Sequence, residues 1–374
     1  MILAALPAWS QSAQPLRPAG PPACSTKPEA TVCRVERPLS QAQAEARLGG
    51  KAFAWWADGD ILSVIARRDG DDAQLCCAIQ GPLERVAASN LWTAAYRIRD
   101  LNQAIIDFSV FPSLGARQSI QVWRGPDAPS APEMTAVDDL LSPPKFAGRL
   151  EHITVESRSL NAPRGLTIYV PPRFDAARRY SVVYMADGMS VTEVARILEP
   201  LILKKTVRPT VMIGLDSLPD PQRARDYLVG YDDTGGFARH DAFLIDEVLP
   251  LAETKYGASA DPRERLTLGF SNGAAWAVET AMRHPDLFAN AAGLSFGWSQ
   301  NSAPRDIAQR PRLFLAAGTL ESAFLKITTA YAERAEGAGY QVKLVTPVSG
   351  HTPFMWDVLY PQVFEWAFPA RDAP

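Results

Sequence analysis

Ser271 lies in Gly269-Phe270-Ser271-Asn272-Gly273, a Gly-x-Ser-x-Gly pattern with an apolar run before it and a helix-compatible run from Ala274 to His284 after it. Strand, sharp turn and helix in that order are the setting of a nucleophile elbow, in which small neighbours let the serine adopt strained backbone angles and stand clear of the sheet. The amide of Asn272 then opens the helix, where unpaired N–H groups and the helix dipole favour a developing oxyanion. The same pattern recurs at Gly293-Leu294-Ser295-Phe296-Gly297. There the following segment, Trp298 to Pro304, is rich in Ser, Asn and Pro and does not continue as a helix, so Ser295 reads as a loop residue.

An uncharged serine needs a base, and the base needs a carboxylate to hold its ring. Only four histidines are present. In a strand-and-helix fold with this elbow the chain order is Ser, acid, His, which leaves His351 in Ser349-Gly350-His351-Thr352 as the base. His152 and His240 precede the serine, and His284 ends the nucleophile helix, a position suited to capping carbonyls. The acid belongs after the strand Arg312 to Ala317, and Glu321 is the nearest carboxylate, with Asp357 and Asp306 in reserve. A first-turn acid favoured by a helix dipole is the other reading of Glu321. A second oxyanion donor is expected in the turn after Tyr180 to Ala186, from the amide of Gly188 or Met189. Arg223 and Arg225, in the long loop from Asp216 to Gly236, are candidates to meet an acidic substrate or to pair with Asp226 and Asp220.

The elements that must position these residues alternate. From Arg149 onward the chain reads as strands (Glu151 to Ser157, Leu166 to Val170, Tyr180 to Ala186, Thr210 to Leu215, Ala289 to Leu294, Arg312 to Ala317, Gln341 to Thr346) with helices near Ala238 to Tyr256, Ala323 to Glu336 and Phe354 to Phe368. Such alternation predicts an α/β fold, a mostly parallel sheet covered on both faces with active residues at the carboxyl ends of its strands. Before it, residues 45–125 read as short strands without helices, as in a small immunoglobulin-like sandwich. Trp55, Trp56, Trp92 and Trp123 in this region are core residues or, alternatively, platforms for a sugar. Residues 1–44 read as a signal-like segment and proline-rich lead-in, 126–148 as a proline-rich linker, and 149–374 as the catalytic domain.

Composition excludes some classes. A net charge of -3 with no basic block gives no electrostatic case for nucleic acid or an anionic membrane. The apolar run at Met1 to Ala13 resembles the end of a secretory signal without its basic start and is too short to span a bilayer, so a periplasmic or secreted protein is expected, with the cytoplasm as the alternative. Cys24 and Cys33 flank a short loop and are able to close a disulfide in an oxidising compartment. Cys76 and Cys77 point to opposite faces of a strand, which argues against a bond between them. No Cys/His cluster has zinc spacing.

From about Arg149 the sequence resembles the esterase D and enterochelin-esterase-like group of α/β hydrolases. The resemblance runs through Tyr169-Val170-Pro171-Pro172, Met185-Ala186-Asp187-Gly188, Arg223-x-x-Asp226-Tyr227, Glu247-Val248-Leu249-Pro250, the elbow, His284-Pro285-Asp286-Leu287-Phe288, Gly318-Thr319-x-Glu321 and Gly350-His351. It implies an α/β-hydrolase fold and hydrolysis of carboxylic esters by Ser271, Glu321 and His351, with no metal or organic cofactor. The β-rich leading region is similar, more faintly, to the amino-terminal sandwich of enterochelin esterases, which implies a siderophore trilactone as a substrate. Two departures bear on the pocket: Ala274 stands where the group carries a second glycine, and Leu294 to Trp298 replaces its hydroxyl-rich segment. Acyl transfer by the same triad, and ligand binding on an inactive hydrolase scaffold, are the alternative functions.

Overall fold

The computed structural model describes residues 20–111, 121–130, 145–232, 234–297 and 307–370. They form two compact units: one runs through Pro129 and adds Gly318–Glu321 and Pro347–Met355, and the other holds the remainder.

The first unit contains β1 (Val32–Arg34), α1 (Gln41–Leu48), β2 (Phe53–Asp58), β3 (Ile61–Arg67), β4 (Gln74–Cys77), β5 (Gly81–Pro82), β6 (Glu84–Arg85), β7 (Leu91–Ile98), β8 (Ile105–Phe111) and β9 (Gln121–Arg124). Its strands make two antiparallel sheets, β1-β7-β3-β2 with β6 on β7, and β5-β4-β8-β9. Period-two alternation along β3 sorts its side chains between two cores. Leu62, Val64 and Ala66 join Leu75, Ile106, Phe108 and Trp123 between the sheets, whereas Ile65 packs with Ala44 and Leu48 of α1. Trp92 and Trp123 belong to the first core, and Trp55 packs against it.

The expected lead-in to residue 44 is instead folded from Gly20 onward. Cys24 and Cys33 are joined with an S–S distance of 2.02 Å, β1 pairs with β7, and Cys76 is disulfide-bonded as well. Helix α1 forms because Ser40 caps it reciprocally: its hydroxyl accepts from the Gln43 amide at 3.2 Å while the Gln43 side chain accepts from the Ser40 amide at 2.9 Å. Prolines here punctuate structure rather than prevent it. The signal-like run at Met1 to Ala13 and most of the expected linker, 131–144, lie outside the described residues.

The second unit contains β10 (Arg149–Ser157), β11 (Ala162–Val170), β12 (Ser181–Ala186), α2 (Val191–Leu203), β13 (Thr210–Leu215), α3 (Gln222–Tyr227), α4 (Gly236–Ala242), a π-helical turn at Phe243–Val248, α5 (Leu249–Lys255), β14 (Arg265–Phe270), α6 (Asn272–Arg283), β15 (Asn290–Leu294), β16 (Arg312–Ala316), α7 (Ser322–Gly337), β17 (Val342–Val345) and α8 (Pro353–Ala367). The eight strands form one sheet in the order β10-β11-β13-β12-β14-β15-β16-β17. It is mixed: β10, β11 and β13 pair antiparallel, and the pairs from β13 through β17 are parallel. The parallel strands are the continuous apolar runs, as burial on both faces demands. The edge strand β10 alternates instead, with Arg149, His152, Thr154 and Glu156 exposed and Ile153 and Val155 packed on the core. Helices α2 and α3 occupy segments read from the sequence as unassigned chain and as loop. No helix among the described residues is long and apolar enough to cross a membrane.

Candidate active site

Ser271 occupies the turn between β14 and α6 with φ 55° and ψ -126°, a conformation that side-chain-bearing residues seldom adopt. The strain is held by close packing on either side. A Cβ on Gly269 would stand 2.1 Å from the carbonyl oxygen of Gly273, so strand and helix approach each other backbone to backbone there. The Ser271 amide donates to Leu294 on the neighbouring strand at 2.9 Å, and α6 is anchored by fully buried Trp276. Because the first amides of a helix lack acceptors within it, the N–H of Asn272 at the start of α6 is available to a developing negative charge.

Gly188 and Met189 lie in a single 3₁₀ turn, Gly188–Ser190, directly after β12. Elbow and turn abut: a Cβ on Gly273 would meet the Ala186 Cβ at 2.8 Å and Asp187 Oδ2 at 3.2 Å. Asp187, left-handed and 4% exposed, organises this corner. Its carboxylate accepts two hydrogen bonds from Arg223, from Nε and Nη2, each at 2.7 Å, and its amide donates to Tyr227 Oη at 2.8 Å. Two residues of the Arg-x-x-Asp-Tyr motif therefore serve Asp187. The third, Asp226, forms a buried ion pair with Arg164 at 2.9 Å. Arg225 bonds Asp232 at 2.6 Å. Both arginines expected to meet a substrate thus have carboxylate partners in the protein, and neither partner is Asp226 or Asp220. Sequence spacing did not reveal this because Asp187 is distant in the chain and reaches Arg223 only through the fold.

Glu321 and His351 belong to the other unit, in the segments that follow β16 and β17. His351 Nδ1 and Glu321 Oε2 are 2.8 Å apart, and the second carboxylate oxygen accepts from the Gly318 amide at 2.6 Å. Glu321 is 7% exposed. With both oxygens engaged, the carboxylate holds the imidazole by Nδ1. The reserve acid Asp357 lies in α8, and Asp306 falls outside the described residues.

The other histidines are placed differently. His284 bonds Asp241 at 2.8 Å rather than capping carbonyls, and His152 faces Thr167 at 3.1 Å. His240 is fully buried among Tyr227, Trp276 and Phe243, with neither ring nitrogen bonded to protein, and burial pushes its pKa down to about 4. Ser295, the serine of the second pattern, also has a positive φ, 56°, but is wholly buried and accepts a hydrogen bond from the Trp356 indole at 2.9 Å. A cavity of about 760 Å³ lined by Arg173, Arg178, Tyr180 and Pro209 lies at the amino ends of β12 and β13, the opposite end of those strands from Gly188.

Residue missed by the sequence reading: Asp107. On β8 it alternates with Ile106 and Phe108 and so resembles a solvent-facing position, yet it is 6% exposed. Burial pushes its carboxyl up, opposed by hydrogen bonds from the Thr352 side chain and the Ala78 amide and by the neighbouring His351 imidazole.

Residues 157–340 match the family described as "Putative esterase". Among curated proteins, the uncharacterized protein YjcH of Bacillus subtilis is 26% identical over 137 residues, which is 36% of this chain and 56% of that protein; the chain thus spans little more than half the length of this relative. Among solved structures, the enterochelin esterase from Shigella flexneri superposes with a TM-score of 0.65 at 15% identity, covering 86% of this chain and 97% of the other. A ferulic acid esterase from Anaeromyces mucronatus superposes with a TM-score of 0.51 at 16% identity, covering 64% of this chain and 95% of the other. The shared fold is an α/β-hydrolase-like one with an amino-terminal β domain.

Proposed function

We propose, on the premise that this chain belongs to an esterase-like family, that it is a serine carboxylic-ester hydrolase with Ser271 as nucleophile, His351 as base and Glu321 as the group orienting His351. The observation that carries the reading is the strained Ser271 held between β14 and α6. In the first half-reaction Ser271 Oγ attacks the ester carbonyl carbon, its proton passes to Nε2 of the His351 imidazole, and the carbonyl oxygen becomes an oxyanion facing the Asn272 amide and that of Gly188 or Met189. Collapse breaks the bond to the alcohol, which leaves with the proton from His351. Water then repeats the sequence on the acyl-enzyme and releases the acid.

For the substrate, we propose an enterochelin-type trilactone. The superposition on enterochelin esterase extends over the β-rich leading region, whereas that on ferulic acid esterase covers a smaller share of this chain. The Cys24–Cys33 disulfide supports an exported protein, since such bonds persist in oxidising compartments. Ser271→Ala is expected to lower turnover of a chromogenic ester by about 10⁴-fold or more and to abolish labelling by a fluorophosphonate, with the melting transition retained. Turnover surviving in that variant would falsify the serine mechanism. Parallel assays on a triscatecholate lactone and a feruloyl ester test the substrate: faster cleavage of the feruloyl ester sinks the trilactone.

A further inference from the structure

The β-rich unit has contacts on both sides of His351. Ile105, at the start of β8, donates its amide to the Val348 carbonyl at 2.9 Å and accepts from the Ser349 hydroxyl at 2.6 Å. Ser349 is fully buried, so these bonds are shielded from water. Gly350, immediately before His351, rests against Ala78: a Cβ there would stand 2.3 Å from both the Ala78 Cα and its carbonyl oxygen. Asp107, two residues beyond Ile105, accepts from the Ala78 amide at 3.0 Å and bonds the hydroxyl of Thr352, the residue after His351. Leu320, immediately before Glu321, packs with Val348 on the core of the same unit.

We infer that the β-rich unit positions the general base, with Asp107 as the positioning residue that holds the backbone around His351. The inference rests on the serine-esterase reading above. A module that only grips bulky substrate alters KM for large esters and leaves small ones untouched. A module that fixes the base alters kcat for every ester, because a displacement of about 1 Å at a catalytic group costs on the order of 100-fold. The observed contacts are of the second kind: they flank the imidazole rather than face a ligand.

The test uses the full chain and a small chromogenic acetate ester. Asp107→Ala and Gly350→Ala are expected to lower kcat by about 10- to 100-fold with little change in KM, and to slow fluorophosphonate labelling in parallel. Asp107→Asn, which still accepts from Ala78 and still bonds Thr352, recovers most of the loss. Arg37→Ala, which removes a surface pair with Asp58 in the same unit, leaves kcat unchanged. Should either large-effect variant fail to fold, Thr352→Val deletes only the hydroxyl held by Asp107 and lowers kcat in the same sense. Folded variants with kcat near wild type, or a loss confined to KM, overturn the positioning role. Ser271→Ala separates the two failures: if it is inactive while Asp107→Ala and Gly350→Ala are fully active, only the positioning role falls, and if it stays active both readings fall.

Discussion

Two copies of Gly-x-Ser-x-Gly lie side by side in the sheet, with Gly269 in register with Gly293 and Phe270 with Leu294. Each serine follows its strand, and each has a φ near 55°. They part at the next residue. After Ser271 the chain enters a twelve-residue helix and the hydroxyl-bearing residue stays partly exposed. Ser295 instead is sealed in, its Oγ held by Trp356, and Thr328 bonds the carbonyl of Phe296 behind it at 2.7 Å. A positive φ alone therefore does not separate the two serines; the helix that starts after Ser271 and its partial exposure do.

The widest separation is expected in turnover. Ser295→Ala should retain near wild-type esterase activity while Ser271→Ala loses about 10⁴-fold or more. A Ser295→Ala variant as inactive as Ser271→Ala would break the contrast.

Next in size is the seating of α6, which only the first copy has. His240 sits against Trp276 of that helix with its rings 5.8 Å apart. Burial depresses its pKa from 6.5 to about 4. As pH falls, the unfolded chain therefore takes up the proton first, so the stability this group contributes is complete above about pH 6.5 and is lost on the way down to about pH 4. The loss amounts to about 3 kcal/mol. Urea midpoints measured at neutral pH and near pH 4 should drop more for the wild type than for His240→Phe; equal drops would show that the buried imidazole is not responsible.

A smaller difference concerns the leading glycines. A methyl group on Gly269 meets backbone oxygen at 2.1 Å, whereas one on Gly293 meets the Val278 side chain at 3.1 Å, which can turn aside. Thermal melts should find Gly269→Ala less stable than Gly293→Ala by about 1–3 kcal/mol. Smallest is the stability cost of Ser295→Ala, about 1 kcal/mol or somewhat more, from leaving the Trp356 N–H without its acceptor.

The sequence carried the alternation of strands and helices and the strand-turn-helix at Ser271, because each is local. Strand β13 falls at the residues the apolar pattern predicts. What escaped it depends on distant neighbours. Antiparallel pairing of β10, β11 and β13 is a matter of register, not composition. Asp107 has the spacing of a surface residue and is buried by a loop about 240 positions later, as the Ser349–Ile105 bond shows. For the same reason the expected boundary at residue 149 misplaces the segments carrying Glu321 and His351, which group with the β-rich unit. For Arg223 the expected carboxylates are its near neighbours Asp220 and Asp226, whereas its partner, Asp187, lies 36 positions upstream.

Strand β10 has one further consequence. Its outward side chains are charged or polar, and Glu151 on it is tied to Arg149 at 2.7 Å and to Tyr256 at 2.8 Å. A foreign strand docking along that rim would have to strip water from these groups without replacing their partners, so the sheet resists growing by recruitment of further chains. Replacing His152 and Thr154 with valine would remove that guard and favour fibrillar association at high concentration.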